Sequence, residues 1–367
     1  MRVHVVDPSA YTPPYDHALC SALAAAGADV ELYTSRFAYS SVPPARGYER
    51  IELFYGASNL LPGSAAAAQR ARRALKLAEH VPDMLRYRRA ARKADVVHFQ
   101  WLSVQQLDGR LLPRGRPLVL TAHDVLPREP RPGQRAAQRR LYERFDAIVV
   151  HSEHGRERLT GELGIDATRV HVIPHGAFAH LAEAPQAPPP FQTDKKVVLF
   201  FGLLRPYKGI DVLLDAWRGI DDAELWIAGM PRMDISALQA GAPSNVRFVP
   251  RFIGDEELAA YFRRADLVVL PYREIEQSGV LFTALAFGKP LLLSDVGGFG
   301  EIAAHGAARA VPPGDPVALR GALRELLDDP DALAALTLRA GELARGEYAW
   351  AEIARRTLAL YEQLLAD

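Results

Sequence analysis

Cysteine is nearly missing from this 367-residue chain. Cys20 stands alone, so no intrachain disulfide can form and no cysteine cluster can hold zinc. A reducing cytoplasm is the expected compartment. No uninterrupted apolar run has the length of a membrane span or signal sequence, and Met1 and Arg2 lead directly into VHVVDP, which reads as a first strand. The expectation is a chain that does not cross a bilayer. Net charge is missing too: 44 Lys and Arg balance 44 Asp and Glu, which argues against nucleic acid as the main partner. No paired carboxylates stand out as acid and nucleophile, and no Asp-x-Asp sits at a strand end. The triplet Asp329-Pro330-Asp331 lies between helical patterns, where a helix cap is expected.

What is present is the composition of a globular protein, about half apolar and a quarter charged, and too long for one ordinary core. The charge is unevenly spread. Residues 1–180 carry 25 Lys and Arg against 18 Asp and Glu, residues 181–367 carry 19 against 26, and ten of the eleven histidines lie in the first part. Attraction between two domains and a basic binding surface on the first would each produce that asymmetry.

Short β-branched runs alternate with Ala/Leu/Arg stretches: VHVVD, ADVELYTS, IELFYG, ADVVHFQW, PLVLTAHD, FDAIVVHS and RVHVIPHG. That alternation predicts a parallel sheet with helices on both faces. It breaks at LAEAPQAPPPFQTD and restarts with KVVLFFG, AELWIAG, NVRFVP, DLVVLPY and KPLLLSD. The predicted organisation is α/β: two doubly wound Rossmann-like domains facing across a cleft, 1–180 and 195–345, joined by a proline-rich linker, 181–194. A C-terminal helix, 346–367, would pack back on the first domain. Its core face is expected at Trp350, Ile353, Leu358, Tyr361 and Leu365. Ligands of such sheets sit at the carboxyl ends of strands.

FFGLLRPYKGIDVLLDAW places Gly202 at a buried strand's carboxyl end and Arg205 and Lys208 in the loop before a helix marked by Ile210, Leu213, Leu214 and Trp217. An Arg fork and a Lys charge beside a helix N-terminus suit a diphosphate; two exposed loop cations are the plain alternative. A second strand, DLVVLPY, runs into Gln277, Ser278 and Gly279 ahead of VLFTALAFG. The backbone amides of Ser278, Gly279 and Val280 could hold a phosphate, or Ser278 could simply cap the helix.

With these stretches in hand, the chain resembles the GT-B glycosyltransferases of the large retaining family 4 over nearly all its length. FGLLRPYKGIDVLLDA matches the family's donor-phosphate loop; LWIAG, VRFVPRFIGDEELAAYFRRADLVVLPY, SGVLFTALAFGKPLLLSDVGG and Glu301 follow in family order. VVHFQW, LTAHD, IVVHS and VIPHG resemble family strands of the first half, with His123 fitting the cleft histidine near the donor sugar. The resemblance implies metal-independent transfer of a sugar from a nucleotide-sugar donor, a UDP- or GDP-sugar, with retention and with no cofactor or metal. Arg205, Lys208 and the amides from Ser278 to Val280 would neutralise the leaving diphosphate, His123 would orient the sugar, and the leaving phosphate would take the acceptor proton. Arg251 and Phe252 fall where the family places the base; core packing is the alternative for Phe252.

Two departures stand out. Aligned on Gly288 and Pro290, Ile275 and Thr283 occupy the positions of two family glutamates, with Glu276 adjacent but out of register. Thr283 would offer the ribose a hydroxyl instead of a carboxylate. The first loop, PSAYTPPYDH, has no Gly-Gly pair, so Tyr11, Tyr15 and His17 are the acceptor-side residues it offers. His98, His151 and His175 also end strands and read as structural. Residues 69–93 carry nine basic and two acidic side chains on a helical pattern, a solvated face or a surface for peripheral contact with the inner, anionic membrane face. The rival readings are a non-catalytic GT-B relative that binds a nucleotide sugar or a partner, a sugar-nucleotide epimerase, and a phosphorylase. The acceptor is not named by any motif.

Overall fold

The computed structural model describes residues 1–37, 42–61, 66–126, 133–183, 185 and 188–366. They form two compact units, Met1–Pro174 with Trp350–Asp367, and His175–Ala349. The division thus falls at His175, ahead of the proline-rich stretch. Leu181 is not linker: it is buried in a short helix, Ala179–Ala182, that packs on helices of the second unit. Residues 184, 186 and 187 of the expected linker lie outside the described residues.

In the first unit seven parallel strands, β1 (Arg2–Asp7), β2 (Asp29–Ser35), β3 (Glu49–Phe54), β4 (Val96–Phe99), β5 (Leu118–Thr121), β6 (Ala147–Val150) and β7 (Val170–Val172), run in the order β3-β2-β1-β4-β5-β6-β7. In the second, β8 (Lys196–Phe201), β9 (Ala223–Ala228), β10 (Val246–Val249), β11 (Leu267–Leu270), β12 (Leu291–Ser294) and β13 (Ala308–Val311) run in the order β10-β9-β8-β11-β12-β13. The central strands are apolar on both faces because helices cover both. In β8, Val197 to Phe200 are all fully buried. Each sheet reverses its winding once, between β1 and β4 in the first and between β8 and β11 in the second, which opens a crevice at the strands' carboxyl ends.

The last helix, Trp350–Ala366, packs against helix Pro13–Ala25 within the first unit. Its buried face is Ile353, Ala354, Thr357, Leu360 and Tyr361; Leu365, expected in the core, is 47 % exposed. Tyr361 is anchored by its hydroxyl, 2.6 Å from Nδ1 of buried His98. The Asp329-Pro330-Asp331 triplet is a cap: Asp329 accepts from the amides of Asp331 and Ala332 at the start of helix Pro330–Arg345. Among the described residues no helix is long and apolar enough to cross a membrane.

Candidate functional site

At the switch point of the second sheet, the loop after β8 and the loop after β11 are tied together. Gly202 leaves β8 with φ +112°, Arg205 is extended, Pro206–Lys208 make one 3-10 turn, and Gly209 (φ +67°) precedes helix Ile210–Trp217. Gly209 has no alternative: a Cβ there would lie 2.0 Å from the carbonyl oxygen of Pro271. Two residues on, the Arg273 amide donates to the Tyr207 carbonyl at 2.7 Å, and its guanidinium forks onto Asp211 at 2.9 and 2.6 Å.

This clamp seats the lysine. Lys208 is only 6 % exposed, and its Nζ lies 4.8 Å from the Tyr272 ring centroid. A Cβ on Gly202 would fall 2.9 Å from that Nζ and 3.1 Å from Val280 Cγ2. Gly202, Lys208 and Val280 therefore converge, with the cation at the first turn of helix Gly279–Ala286. Arg205 stands exposed at the mouth of the same loop. Ser278 is buried yet its side chain does not cap that helix, unlike Ser152, Asp315 and Asp329, whose side chains accept amides at their own helix starts. The first amides of the helix therefore take no bond from the Ser278 side chain.

The other sequence candidates distribute around this centre. Loop 275–276 is held from behind, where Gly297 (φ +54°) would place a Cβ 1.8 Å from the Ile275 carbonyl oxygen and the Gly298 amide donates to the Glu276 carbonyl at 3.3 Å. Thr283 is buried and its hydroxyl donates to the Gly279 carbonyl at 2.9 Å, so its hydrogen is already used within the helix. Arg251 forks onto Glu257 on the next helix, at 2.8 and 2.5 Å. Phe252 is 47 % exposed, which rules out core packing.

In the first unit, the carboxyl ends of β1, β4 and β5 carry the cluster. His123, after β5, stacks on Trp101 (centroids 4.9 Å, 12°) and meets the edge of Tyr15 at 4.8 Å. Its Nε2 is 3.2 Å from the Gln100 side chain and its Nδ1 3.3 Å from His151. Trp101 Nε1 donates to Thr12 and the hydroxyls of Ser9 and Ser103 lie 2.6 Å apart, joining the loops on either side of the switch point. Of the three acceptor-side residues only Tyr11 has much exposed surface. Tyr15 is 4 % exposed and packs between His123 and Trp350, and His17 is 5 % exposed and bonded to the Tyr48 hydroxyl, so both turn inward from helix Pro13–Ala25, where a loop was expected. The loop itself is organised by Asp7, whose carboxylate accepts the amides of Ser9, Tyr11 and Thr12. Burial and the charge of Asp7, its partner in a buried dyad, hold the Asp16 carboxyl well above the usual range. That dyad, Gln100 and the clamp of Arg273 on Asp211 escaped sequence reading, because each joins residues far apart in the chain.

Helix Ala66–Ala90 also belongs to this unit. Leu77, Val81 and Leu85, four apart, are 54, 37 and 41 % exposed, and Arg70, Arg73, Arg86 and Arg89 are exposed beyond the two ends of that stripe. Among the described residues no group of three or more His, Cys, Asp or Glu side chains is placed to hold a metal ion.

Comparison with known proteins agrees with this layout. The family model described as Glycosyltransferase Family 4 matches residues 15–177, and that described as Glycosyl transferases group 1 matches residues 195–329. The D-inositol 3-phosphate glycosyltransferase 1 of Catenulispora acidiphila is 30 % identical over 79 % of this chain and 76 % of its own. Among solved structures, sucrose-phosphate synthase from Thermosynechococcus elongatus superposes with a TM-score of 0.78 at 22 % identity, covering 100 % of this chain and 99 % of that one. The Anabaena protein HepE, solved with UDP-glucose, gives 0.70 at 17 % identity, covering 99 % and 100 %.

Proposed function

This chain belongs to the family 4, group 1 glycosyltransferases, and on that premise we propose that it moves a sugar from a nucleotide-sugar donor to an acceptor, with retention and without a metal. The observation that carries the reading is the seat of Lys208 between Gly202, Tyr272 and the uncapped start of helix Gly279–Ala286, with Arg205 at its mouth. Fixed cations and helix amides do there what a divalent ion does elsewhere: they stabilise the diphosphate as it departs and cost no reorganisation. Phe252 offers a face to the base and Thr283 an oxygen to the ribose. HepE binds UDP-glucose, which supports a UDP-sugar as the first donor to try, with GDP-sugars second. His123 orients the sugar and the leaving phosphate takes the acceptor proton. No cofactor is required.

The test is release of nucleoside diphosphate from UDP- and GDP-sugars in EDTA. We expect turnover that persists without divalent metal and falls about two to three orders of magnitude in Arg205→Ala, with an unchanged melting temperature because Arg205 is exposed. Near-normal turnover in that variant would remove the assignment. A non-catalytic relative, the main rival, would bind a donor and never hydrolyse it.

The exposed apolar stripe of helix Ala66–Ala90, bracketed by arginines, supports a further part of the proposal: the enzyme works in the cytoplasm and touches an anionic membrane surface through this helix.

A further inference from the structure

With both rings neutral, the hydrogen bonds between His151 and His123 run in one sense. His151 Nδ1 lies 3.0 Å from the carbonyl oxygen of Ile173, which can only accept, so Nδ1 carries the hydrogen. The ring is 6 % exposed, and burial pushes its pKa down to about 4, so at neutral pH its Nε2 bears a lone pair. That lone pair faces His123 Nδ1 across 3.3 Å. Two lone pairs would repel there, so a hydrogen sits on His123 Nδ1, and in the neutral ring Nε2 is then the acceptor. The Gln100 Oε1 atom is placed 3.2 Å from that Nε2, while the buried amide nitrogen of Gln100 has no partner. A primary amide turned over keeps its shape, so the N–H of Gln100 makes this contact. Trp101 against the ring face and the Tyr15 edge hold the plane of His123, and the bond to His151 sets its rotation.

We infer that His151 is a positioning residue for His123, fixing it as the Nδ1–H tautomer so that Nε2 is the atom that accepts a hydrogen bond from a bound sugar hydroxyl. This rests on the sugar-transfer reading above. The neutral side chain of free histidine in water prefers its hydrogen on Nε2, so the arrangement is one the protein imposes. Gln100 N–H occupies the acceptor until a ligand hydroxyl replaces it.

Nitrogen NMR of the full chain labelled with 15N-histidine, with His123→Ala to assign the signals, reads the tautomer without reference to activity. The expected spectrum has a protonated Nδ1 and a lone-pair Nε2 on His123. In His151→Phe, which keeps a ring but removes the acceptor, the hydrogen should move towards Nε2, and kcat should fall about tenfold, the worth of one hydrogen bond, with little change in donor KM. His151→Gln returns an acceptor oxygen and should recover most of the loss. On a His123→Ala background His151→Phe should cost nothing further. A wild-type His123 protonated on Nε2, or on both nitrogens, overturns the inference, as does an equal loss from His151→Phe on the His123→Ala background. Absence of any sugar transfer would instead overturn the functional reading, and the spectrum would still decide the tautomer.

Discussion

Gly209 illustrates how a single position carries the site. Its positive φ and the Pro271 carbonyl 2.0 Å from any added Cβ leave room for hydrogen alone. Gly209→Ala must either push the two loops apart or strain the backbone, at a cost of about 1–3 kcal/mol. We expect a lower melting temperature together with weaker nucleotide affinity, measured by calorimetry of the same sample; unchanged affinity would mean that the clamp does not shape the cradle. Arg205 and Lys208 could be picked out of the sequence because a strand-to-helix loop with two cations is unusual chemistry. Their difference could not: one is exposed at the mouth and the other is 6 % exposed against Tyr272, a contact made by a loop 64 positions on. Tyr15 and His17 read as ligand contacts for the opposite reason, since the stretch expected as loop is helix from Pro13 on, and polarity says nothing about which side chains turn inward.

At the scale of elements, periodicity located helices well and their phase less well. In helix Trp350–Ala366 the expected face included Leu358 and Leu365, yet the buried residues are Ile353, Ala354, Thr357, Leu360 and Tyr361. Apolar identity alone misses Thr357, which is buried because its hydroxyl donates to the Ile353 carbonyl at 2.7 Å. Helix Ala66–Ala90 was legible as basic, but its exposed leucines were not, because an apolar residue at helical spacing is normally core. Those leucines make a prediction. The chain should sediment with anionic vesicles at low salt, and L77S/V81S/L85S should abolish this while leaving donor turnover intact, as burial of three apolar side chains supplies the part of the attachment that salt does not screen. Vesicle binding that is the same with and without the stripe would leave charge alone as the cause, and no binding to vesicles would remove the proposal.

For the whole molecule, alternation of strands and helices was enough to read two doubly wound units from sequence. What alternation cannot carry is strand order, and strand order is what puts the loops after β8 and β11 side by side at a switch point. The candidate residues were therefore read as two separate stretches, and their meeting could not be. The first unit also carries a pH signature. Burial pushes His98 down to about 3 and His151 to about 4 from 6.5. The unfolded chain then binds more protons than the native one between those values, so stability rises with pH in this window and is lost as pH falls from about 6.5 towards 4. Asp16, held well above the usual range, acts with the opposite sign: it favours the folded state at low pH and withdraws that contribution as pH rises through its folded value. Thermal unfolding across pH should show His98→Phe flattening the acid limb; an unaltered limb would mean the ring is not buried neutral.

The most direct test of the central claim is isothermal calorimetry of UDP, GDP and ADP in EDTA, against the native chain and against Arg205→Ala and Lys208→Met. The account predicts that at least one nucleoside diphosphate binds one-to-one to the native chain and loses most of its affinity in both variants. If no diphosphate binds, or if binding is the same in all three proteins, the second unit is not an anion cradle and the account is wrong.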